Sequence, residues 1–325
     1  MKPEENLLTN AREPVAVPWK LWLQDFPCDL CGFKEEEFLC TVPGTLTKYP
    51  FRLVRCRSCG LLYLNPRLNG DAIRELYDRD YYNGKGFDTH VNYIDDLLQS
   101  NENSKVTRPK ETVRIISELK PPPSTHLDFG CGVGDLLRQS VRQGYESEGY
   151  EISQFARHFA SQHGFTVYGD LREIPSEQYD IVTAIEVLEH CSSPLEALRA
   201  IYQALKPGGV VFYTTCNFDG YYEQFRKGGK DSIRNAYVKP EGHIHFFSSA
   251  VMELYFKKVG FSQSFAFEPR HYVKEGRLFD LLARMHLVGK GSSPERTIQK
   301  AAYYGSRRLA IMLGIRKSSL PLAQK

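Results

Sequence analysis

The chain from about residue 106 to residue 268 alternates short apolar runs with amphipathic segments of helical period. Runs such as HLDF, YDIVTAIEV and VVFYTTCN have the length of buried strands, and SPLEALRAIYQALKPGG lies between two of them with apolar residues at helical spacing. Alternating strands and helices are typical of βαβ units, in which right-handed crossovers place helices on both faces of a parallel sheet. We therefore predict an α/β fold with a Rossmann-like, mostly parallel sheet over residues 106–269.

The segments on either side of this region follow different patterns. Residues 1–26 are polar, contain three prolines and form a predicted leader. Residues 27–66 make a compact segment in which YPFRLVRC alternates as a strand does. Residues 67–105 are predicted as a linker with a short helix that starts at Asp71. Residues 270–325 carry no strand pattern and are predicted as a helical tail in two pieces.

Charge is distributed unevenly along the chain. The net charge of +3 is the sum of two unlike parts. From Arg270 onward there are 12 Lys+Arg and 3 Asp+Glu, a net charge of +9. The rest of the chain has 30 Lys+Arg and 36 Asp+Glu, a net charge of −6. A basic tail fits a solvated helical face, or contact with nucleic acid, an anionic membrane surface or the acidic body of a partner. In RRLAIMLGIRK apolar residues lie between cations, which suggests peripheral membrane contact. The polar N-terminus and the absence of an apolar run of about 18–20 residues predict a cytoplasmic protein.

The stretch THLDFGCGVGDLL, residues 125–137, predicts a ligand-binding loop after the first strand of the sheet. Its glycines permit a sharp turn and a close approach of the backbone to a ligand. The G-x-G-x-x-G pattern of nicotinamide sites would need a glycine where Asp135 stands, and the third glycine comes one residue early, at Gly134. Asp128 precedes the loop. Two further acids, Glu151 and Asp170, close the next two apolar runs, where parallel strands end at the same edge of the sheet.

These residues resemble the class I S-adenosylmethionine-dependent methyltransferases. LDFGCGVG matches the family's first motif, and the segment from YDIVTAIEV through LKPGG to VVFYTT resembles its fourth and fifth strands. The resemblance implies a seven-stranded sheet and S-adenosylmethionine as cofactor, with acids for the cationic amino-acid head, the ribose hydroxyls and the adenine amino group. The residues it assigns to cofactor binding are Asp128, Gly130, Cys131, Gly132, Gly134, Glu151, Ile152, Asp170, Leu171 and Glu186.

Four of the eight cysteines form two Cys-x-x-Cys pairs, Cys28 with Cys31 and Cys56 with Cys59. Two such pairs present four thiolates, the ligand set that tetrahedral structural zinc favours. A redox dithiol is the alternative, but it would need only one pair. We predict a zinc ribbon over residues 27–66 in which Zn2+ is structural and Cys40 is a bystander.

A zinc ribbon ahead of such a domain resembles bacterial methyltransferases of polysaccharide and secondary-metabolite clusters, including relatives of sugar C-methyltransferases. Their His-x-x-(Tyr/Phe)-Phe-Ser segment maps the candidate base onto His243, although Gly242 replaces the acid that precedes it in that group. Glu189 and His190 end the EVLEH segment at the pocket rim and are further catalytic candidates. His245 is predicted to be a surface or capping histidine. The tyrosine pattern after the ribbon is matched only loosely, by Tyr77, Tyr81 and Tyr82.

The sequence thus predicts methyl transfer to a small-molecule or glycan acceptor, with a nucleotide- or lipid-linked sugar preferred. One alternative is an RNA methyltransferase guided by the ribbon and the basic tail. The acidic KEEEF after the first knuckle, and the absence of an Asp/Asn-Pro-Pro-aromatic motif in AIEVLEH, argue against nucleic acid. A second alternative is a scaffold that binds the cofactor without turnover.

Overall fold

The computed structural model describes residues 23–44, 47–86, 92–98, 107–216, 218, 239–261, 263–267 and 309–315. The predicted leader up to residue 22 and most of the predicted tail lie outside the described residues. Within the described residues, no helix is both long enough and apolar enough to cross a membrane.

The N-terminal segment is a small antiparallel unit. Its strands are β1 (Leu23–Gln24), β2 (Glu36–Pro43), β3 (Pro50–Cys56), β4 (Leu62–Leu64) and β5 (Arg67–Leu68). β2, β3 and β4 form one sheet, while β1 pairs with β5. β3 confirms the strand predicted for YPFRLVRC, with Phe51, Leu53 and Val54 buried. We call residues 27–66 the ribbon.

Three short helices connect the ribbon to the large sheet: α1 (Gly70–Leu76), α2 (Arg79–Tyr82) and α3 (Tyr93–Leu98). α1 begins one residue before the predicted start at Asp71, because the Asn69 side chain accepts a hydrogen bond from the Ala72 amide at 2.9 Å. Asp78 caps α2 in the same way.

The large sheet has seven strands in the order β12-β13-β10-β9-β6-β7-β8. They are β6 (Thr125–Phe129), β7 (Glu146–Tyr150), β8 (Val167–Tyr168), β9 (Tyr179–Ile185), β10 (Leu205–Cys216), β12 (Gln263–Phe267) and β13 (Leu309–Ile315). The five from β10 to β8 are parallel neighbours, and β13 is antiparallel to both β10 and β12. The associated helices are α4 (Thr107–Leu119), α5 (Asp135–Arg142), α6 (Gln154–Gln162), α7 (Pro194–Ala204) and α8 (Ser249–Val259). The predicted Rossmann-like sheet is confirmed.

β13 corrects two predictions made for the tail. Residues 309–315 are a strand of the sheet and not part of a helix, so the domain predicted to end at residue 269 includes them. The apolar run LAIMLGI lies in this strand, and peripheral membrane contact of the tail stays a prediction. The local pattern missed the strand because a short apolar run fits a strand or a helix, and its pairing partners lie far away in sequence.

The ribbon shares its core with the large sheet. Cys28, Leu30 and Tyr63 are buried in one cluster with residues of β9, α7 and α8. The short strand β11 (His245–Phe246) leaves the methyltransferase-like region and pairs with β4, which makes it the fourth strand of the ribbon sheet. Part of the ribbon's apolar burial therefore comes from the neighbouring domain. The rest, around Phe51 and Leu53, lies in a second core cluster that also contains linker residues and Ile244.

A chain that ends at residue 308 lacks β13 and leaves the facing edges of β10 and β12 unpaired. We expect its free energy of unfolding to fall by more than about 4 kcal/mol, beyond the range of most single substitutions, and its thermal midpoint to fall accordingly. Differential scanning calorimetry and the soluble yield measure this. A chain that ends at residue 315 is the control, and equal midpoints for the two chains would contradict the assigned topology.

Candidate functional site

The glycine loop connects β6 to α5 through left-handed backbone. Gly130, Gly132 and Gly134 have φ of 82°, 54° and 92°, values that residues with a Cβ rarely adopt. A Cβ at Gly130 would lie 2.5 Å from Val187 Cγ2. Gly134 is the N-cap of α5 and Asp135 its first residue. Gly134 therefore stands directly before the helix, one residue earlier than the third glycine of a nicotinamide motif.

Asp128 ends a buried chain of hydrogen bonds below the glycine loop. The Thr183 hydroxyl donates to Asp128 Oδ1 at 2.8 Å and lies 2.8 Å from His126 Nε2. Since the hydroxyl proton is committed to Asp128, His126 donates from Nε2. Burial lowers the pKa of His126 to about 3, so the ring is neutral. Burial, with the charges of Glu151 and Asp135, raises the pKa of Asp128 to about 7 against the opposing bond from Thr183.

Glu151 joins the end of β7 to the glycine loop. Its Oε2 accepts from the Gly132 amide at 3.0 Å and its Oε1 from the Ser153 amide at 2.8 Å. Burial raises the pKa of Glu151 and these two amides lower it. Ile152 is half-buried beside it, and Cys131 is buried inside the loop. The structure therefore brings these predicted cofactor residues to one edge of the sheet.

Two other predicted cofactor residues have different surroundings. Asp170 follows β8 and starts a single 3-10 turn with Leu171, but its carboxylate is paired with Arg172 at 2.6 Å. That bond holds the pKa of Asp170 well below its usual range. A contact between Asp170 and an adenine amino group stays a prediction. Glu186 follows β9 with a φ of 54°, a strained conformation of the kind found at functional sites.

The two catalytic candidates His190 and His243 meet beyond the end of β9. Their ring centroids lie 4.6 Å apart. His190 Nδ1 lies 2.9 Å from the Gly242 carbonyl oxygen and 2.8 Å from the Tyr77 hydroxyl. Because a carbonyl oxygen can only accept, Nδ1 carries a proton, and in the neutral ring Nε2 then holds the lone pair. His243 is 8% exposed, so it is shielded from bulk water.

Tyrosines of the linker connect this histidine pair to the glycine loop. The ring centroids of Tyr77 and Tyr81 lie 4.8 Å apart, and those of Tyr81 and Tyr82 lie 5.0 Å apart. Tyr82 Cε1 would lie 3.4 Å from a Cβ at Gly132. Burial raises the pKa of all three phenols well above the usual value, so they remain neutral. We call Tyr77, Tyr81, Tyr82 and Tyr93 the tyrosine wall; the aromatic end of YDRDYY is the sequence signal for it.

Glu189 and His245 flank the histidine pair. Glu189 is buried, and its carbonyl accepts from the Ile244 amide at 3.0 Å, which ties the two histidine segments together. The prediction of a surface or capping role for His245 is wrong. His245 lies in β11 with no exposed area, and burial holds its pKa well below the usual value. It is buried because β11 joins the ribbon sheet, a pairing that the sequence pattern does not reveal.

The four predicted metal ligands converge at one end of the ribbon. The sulfurs of Cys28, Cys31, Cys56 and Cys59 all lie within 4.8 Å of one another. Cys28 Sγ is 3.4 Å from Cys59 Sγ, and Cys31 Sγ is 3.5 Å from Cys56 Sγ. Tetrahedral zinc with bonds of about 2.3 Å separates its sulfur ligands by about 3.8 Å, so the donor set fits. The hydrogen bond with Cys59, and then burial, raise the pKa of Cys28, so its thiolate form is disfavoured unless a cation binds beside it.

Comparisons with known proteins place this site in a family context. Residues 103–263 match the family model Methyltransf_23, described as a methyltransferase domain. A ubiquinone biosynthesis O-methyltransferase of Pseudomonas savastanoi pv. phaseolicola is 34% identical over 130 residues, which cover 37% of this chain and 55% of that protein. The protein of that name from Yersinia pestis is 39% identical over 102 residues, 28% of this chain and 42% of that protein. The chain therefore spans about half the length of the curated relatives it matches.

A solved structure of the same fold also matches. It is a phosphoethanolamine N-methyltransferase 2 of Haemonchus contortus in complex with phosphomonomethylethanolamine and S-adenosylhomocysteine. The match has a TM-score of 0.51 and 17% identity, and covers 79% of this chain and 63% of that one. This likeness supports the fold alone. The family match and the strand-end site lead to one assignment: residues 103–263 are a class I S-adenosylmethionine-dependent methyltransferase domain.

Proposed function

We propose that the protein transfers a methyl group from S-adenosylmethionine to a hydroxyl of a small-molecule or glycan acceptor, a nucleotide- or lipid-linked sugar, with His243 as the base. The observation that carries this proposal is the contact between His190 and the buried His243, which the tyrosine wall joins to the glycine loop. A hydroxyl acceptor must lose its proton, and an imidazole is suited to take it near neutral pH. The names of the curated relatives favour oxygen as the methylated atom.

The residues of the domain have distinct roles in this proposal. Bound S-adenosylmethionine supplies a methyl group that its sulfonium already activates. Asp128 offers a carboxylate to the cationic amino-acid head, and Glu151 offers one to the ribose hydroxyls. Burial of the pocket rim keeps water away from the methyl group. A bound acceptor held in line with that methyl group therefore reacts in preference to water. The Gly242 carbonyl keeps the Nδ1 proton on His190, so its ring presents a fixed face to His243.

Two alternatives remain as outcomes of the test. For an RNA methyltransferase, the acidic KEEEF segment is less repulsive to phosphate than its composition suggests, because Glu36 and Glu37 pair with Arg52 and Arg55 at 3.4 and 3.8 Å. A scaffold without turnover would keep the buried acids Asp128 and Glu151 for cofactor binding alone. The scaffold alternative gives the His190–His243 pair no role.

The acceptor class is tested with purified protein, methyl-labelled S-adenosylmethionine and a bacterial extract divided into RNA, protein, lipid and nucleotide-sugar or glycan fractions. We expect label in the nucleotide-sugar, glycan or lipid-linked glycan pool. His243→Ala should reduce labelling by about 10²- to 10⁴-fold, the usual contribution of a general base, without weakening binding of S-adenosylhomocysteine.

His158→Ala is the matched control, because His158 is exposed on α6. It should label as the natural chain does. Label in the RNA fraction would mean that the acceptor is RNA and not a sugar. Binding of the cofactor without label in any fraction would favour the scaffold without turnover.

The pKa of Asp128 predicts how cofactor affinity depends on pH. In the free protein this carboxyl titrates near pH 7; a cationic ligand favours its ionised form, so binding below pH 7 releases a proton. Affinity for S-adenosylmethionine should therefore rise from pH 6 to pH 8. Asp128→Asn should flatten this dependence and weaken binding about ten- to hundredfold, the worth of a charged hydrogen bond.

Calorimetry in buffers of different ionisation enthalpy measures both the affinity and the released proton. Glu146→Gln is the control, since Glu146 is exposed at the start of β7, at the opposite edge of the sheet. If the affinity of the natural chain for S-adenosylmethionine did not change with pH, Asp128 would not be the residue that binds the cationic amino-acid head.

We also propose that the four ribbon cysteines hold one structural Zn2+. Elemental analysis should find about one zinc per chain, and Cys31→Ser should lose it because three thiolates bind zinc more weakly than four. Cys40→Ser is the control, since Cys40 lies on β2 outside the sulfur cluster. Full retention of zinc in Cys31→Ser would contradict the assigned ligand set.

A further inference from the structure

The first metal knuckle of the ribbon contacts the elements that carry both histidines of the candidate site. The knuckle residue Asp29, between Cys28 and Cys31, directs its carboxylate away from the ribbon. Its Oδ1 accepts from the Ser193 hydroxyl at 2.6 Å, and its Oδ2 accepts from the Leu195 amide at 2.9 Å and the Tyr255 hydroxyl at 2.9 Å. All three donors belong to the methyltransferase domain, more than 160 residues along the chain.

The first two donors lie at the start of α7. Ser193 is the N-cap of this helix, and Leu195 is in its first turn. A carboxylate is favoured at a helix N-terminus, because it pairs with the free amides and with the positive end of the helix dipole. The 3-10 turn Leu188–His190 precedes α7 by only three residues. Asp29 thus fixes the end of the chain segment that presents Glu189 and His190.

The third donor belongs to α8. Tyr255 is fully buried, and α8 begins just after the segment that contains His243 and β11. A second contact supports this one, since Lys258 Nζ donates to the Leu30 carbonyl at 2.6 Å. Asp29 and its neighbour therefore also hold the helix that follows His243.

The ribbon reaches His243 from its other side as well. β11 pairs with β4, with His245 opposite Tyr63, and the Leu64 amide donates to the Ile244 carbonyl at 3.0 Å. The Ile244 amide in turn donates to the Glu189 carbonyl. One residue of backbone separates His243 from a strand of the ribbon sheet, so the position of this ring follows the position of the ribbon.

We propose that the metal ribbon is a positioning element of the active site, and that Asp29 is its positioning residue, whose carboxylate fixes the distance between the His190 and His243 segments. The metal acts on the reaction through this geometry and does not touch the acceptor. The proposal rests on the proposed role of His243, but its structural part can be tested without an acceptor.

The test compares the full zinc-loaded chain with three variants by amide hydrogen exchange, zinc content and calorimetry with S-adenosylhomocysteine. Asp29→Ala should exchange at least tenfold faster at the amides of His190 and Ile244 while it retains zinc and binds S-adenosylhomocysteine within about twofold. Tyr255→Phe removes one hydroxyl and should speed exchange around Ile244 alone. Asp25→Ala, an exposed acid outside the knuckle, should match the natural chain.

Labelling of the acceptor fraction provides the second measurement. Asp29→Ala should slow methyl transfer at least tenfold at saturating cofactor, through kcat more than through KM, and Asp29→Asn should recover part of the rate. Unchanged exchange at His190 and Ile244 in Asp29→Ala would overturn the proposal. Loss of zinc with fast exchange across the whole ribbon would also overturn it, because Asp29 would then hold the ribbon itself. Absence of label from the natural chain would refute the proposed function but leave the exchange result valid.

Discussion

The backbone pairing between β4 and β11 is the interaction on which the geometry of the candidate site depends. It is only two residues long, yet it joins the ribbon sheet to the segment that carries His243. Short strands are marginal in isolation. This one is stable because the residues on both sides of it, including Ile244 and Phe247, are buried in the two core clusters.

Burial also decides the electrostatics of the cofactor edge. Asp128 and Glu151 are both buried carboxyls whose charge is opposed by desolvation, and each raises the cost of ionising the other. The tyrosine wall adds neutral hydroxyls. Arg157, with the Ser153 and Gly132 amides, offsets part of the cost of ionising Glu151. In the proposed function, a bound cation relieves the cost that remains at Asp128.

The features that the sequence could predict are those encoded within one turn or one strand. The glycine loop, the acids at the ends of β6 and β7 and the two Cys-x-x-Cys knuckles follow from local conformation and ligand chemistry. The features that it could not predict depend on pairing between distant segments. The local pattern places residues 309–315 in a helical tail and His245 at the surface. It gives Asp29 no role. All three depend on partners that lie in other elements. The spacing of apolar residues along the sequence identifies the buried face of an element but not the element that packs against it.

β13 has a consequence for how the chain reaches its fold. Domains generally fold from the N-terminal side during synthesis at about 5–20 residues per second, but β10 and β12 are neighbours of a strand that is translated later than both. Until residues 309–315 leave the ribosome, the sheet has a gap between two parallel strands that cannot bond to each other across it. Closure of the sheet is therefore a late, long-range step, and long-range pairing is intrinsically slow. During that interval the facing edges of β10 and β12 stay unpaired in the nascent chain, while the ribbon and the glycine loop, encoded earlier, are free to form local structure.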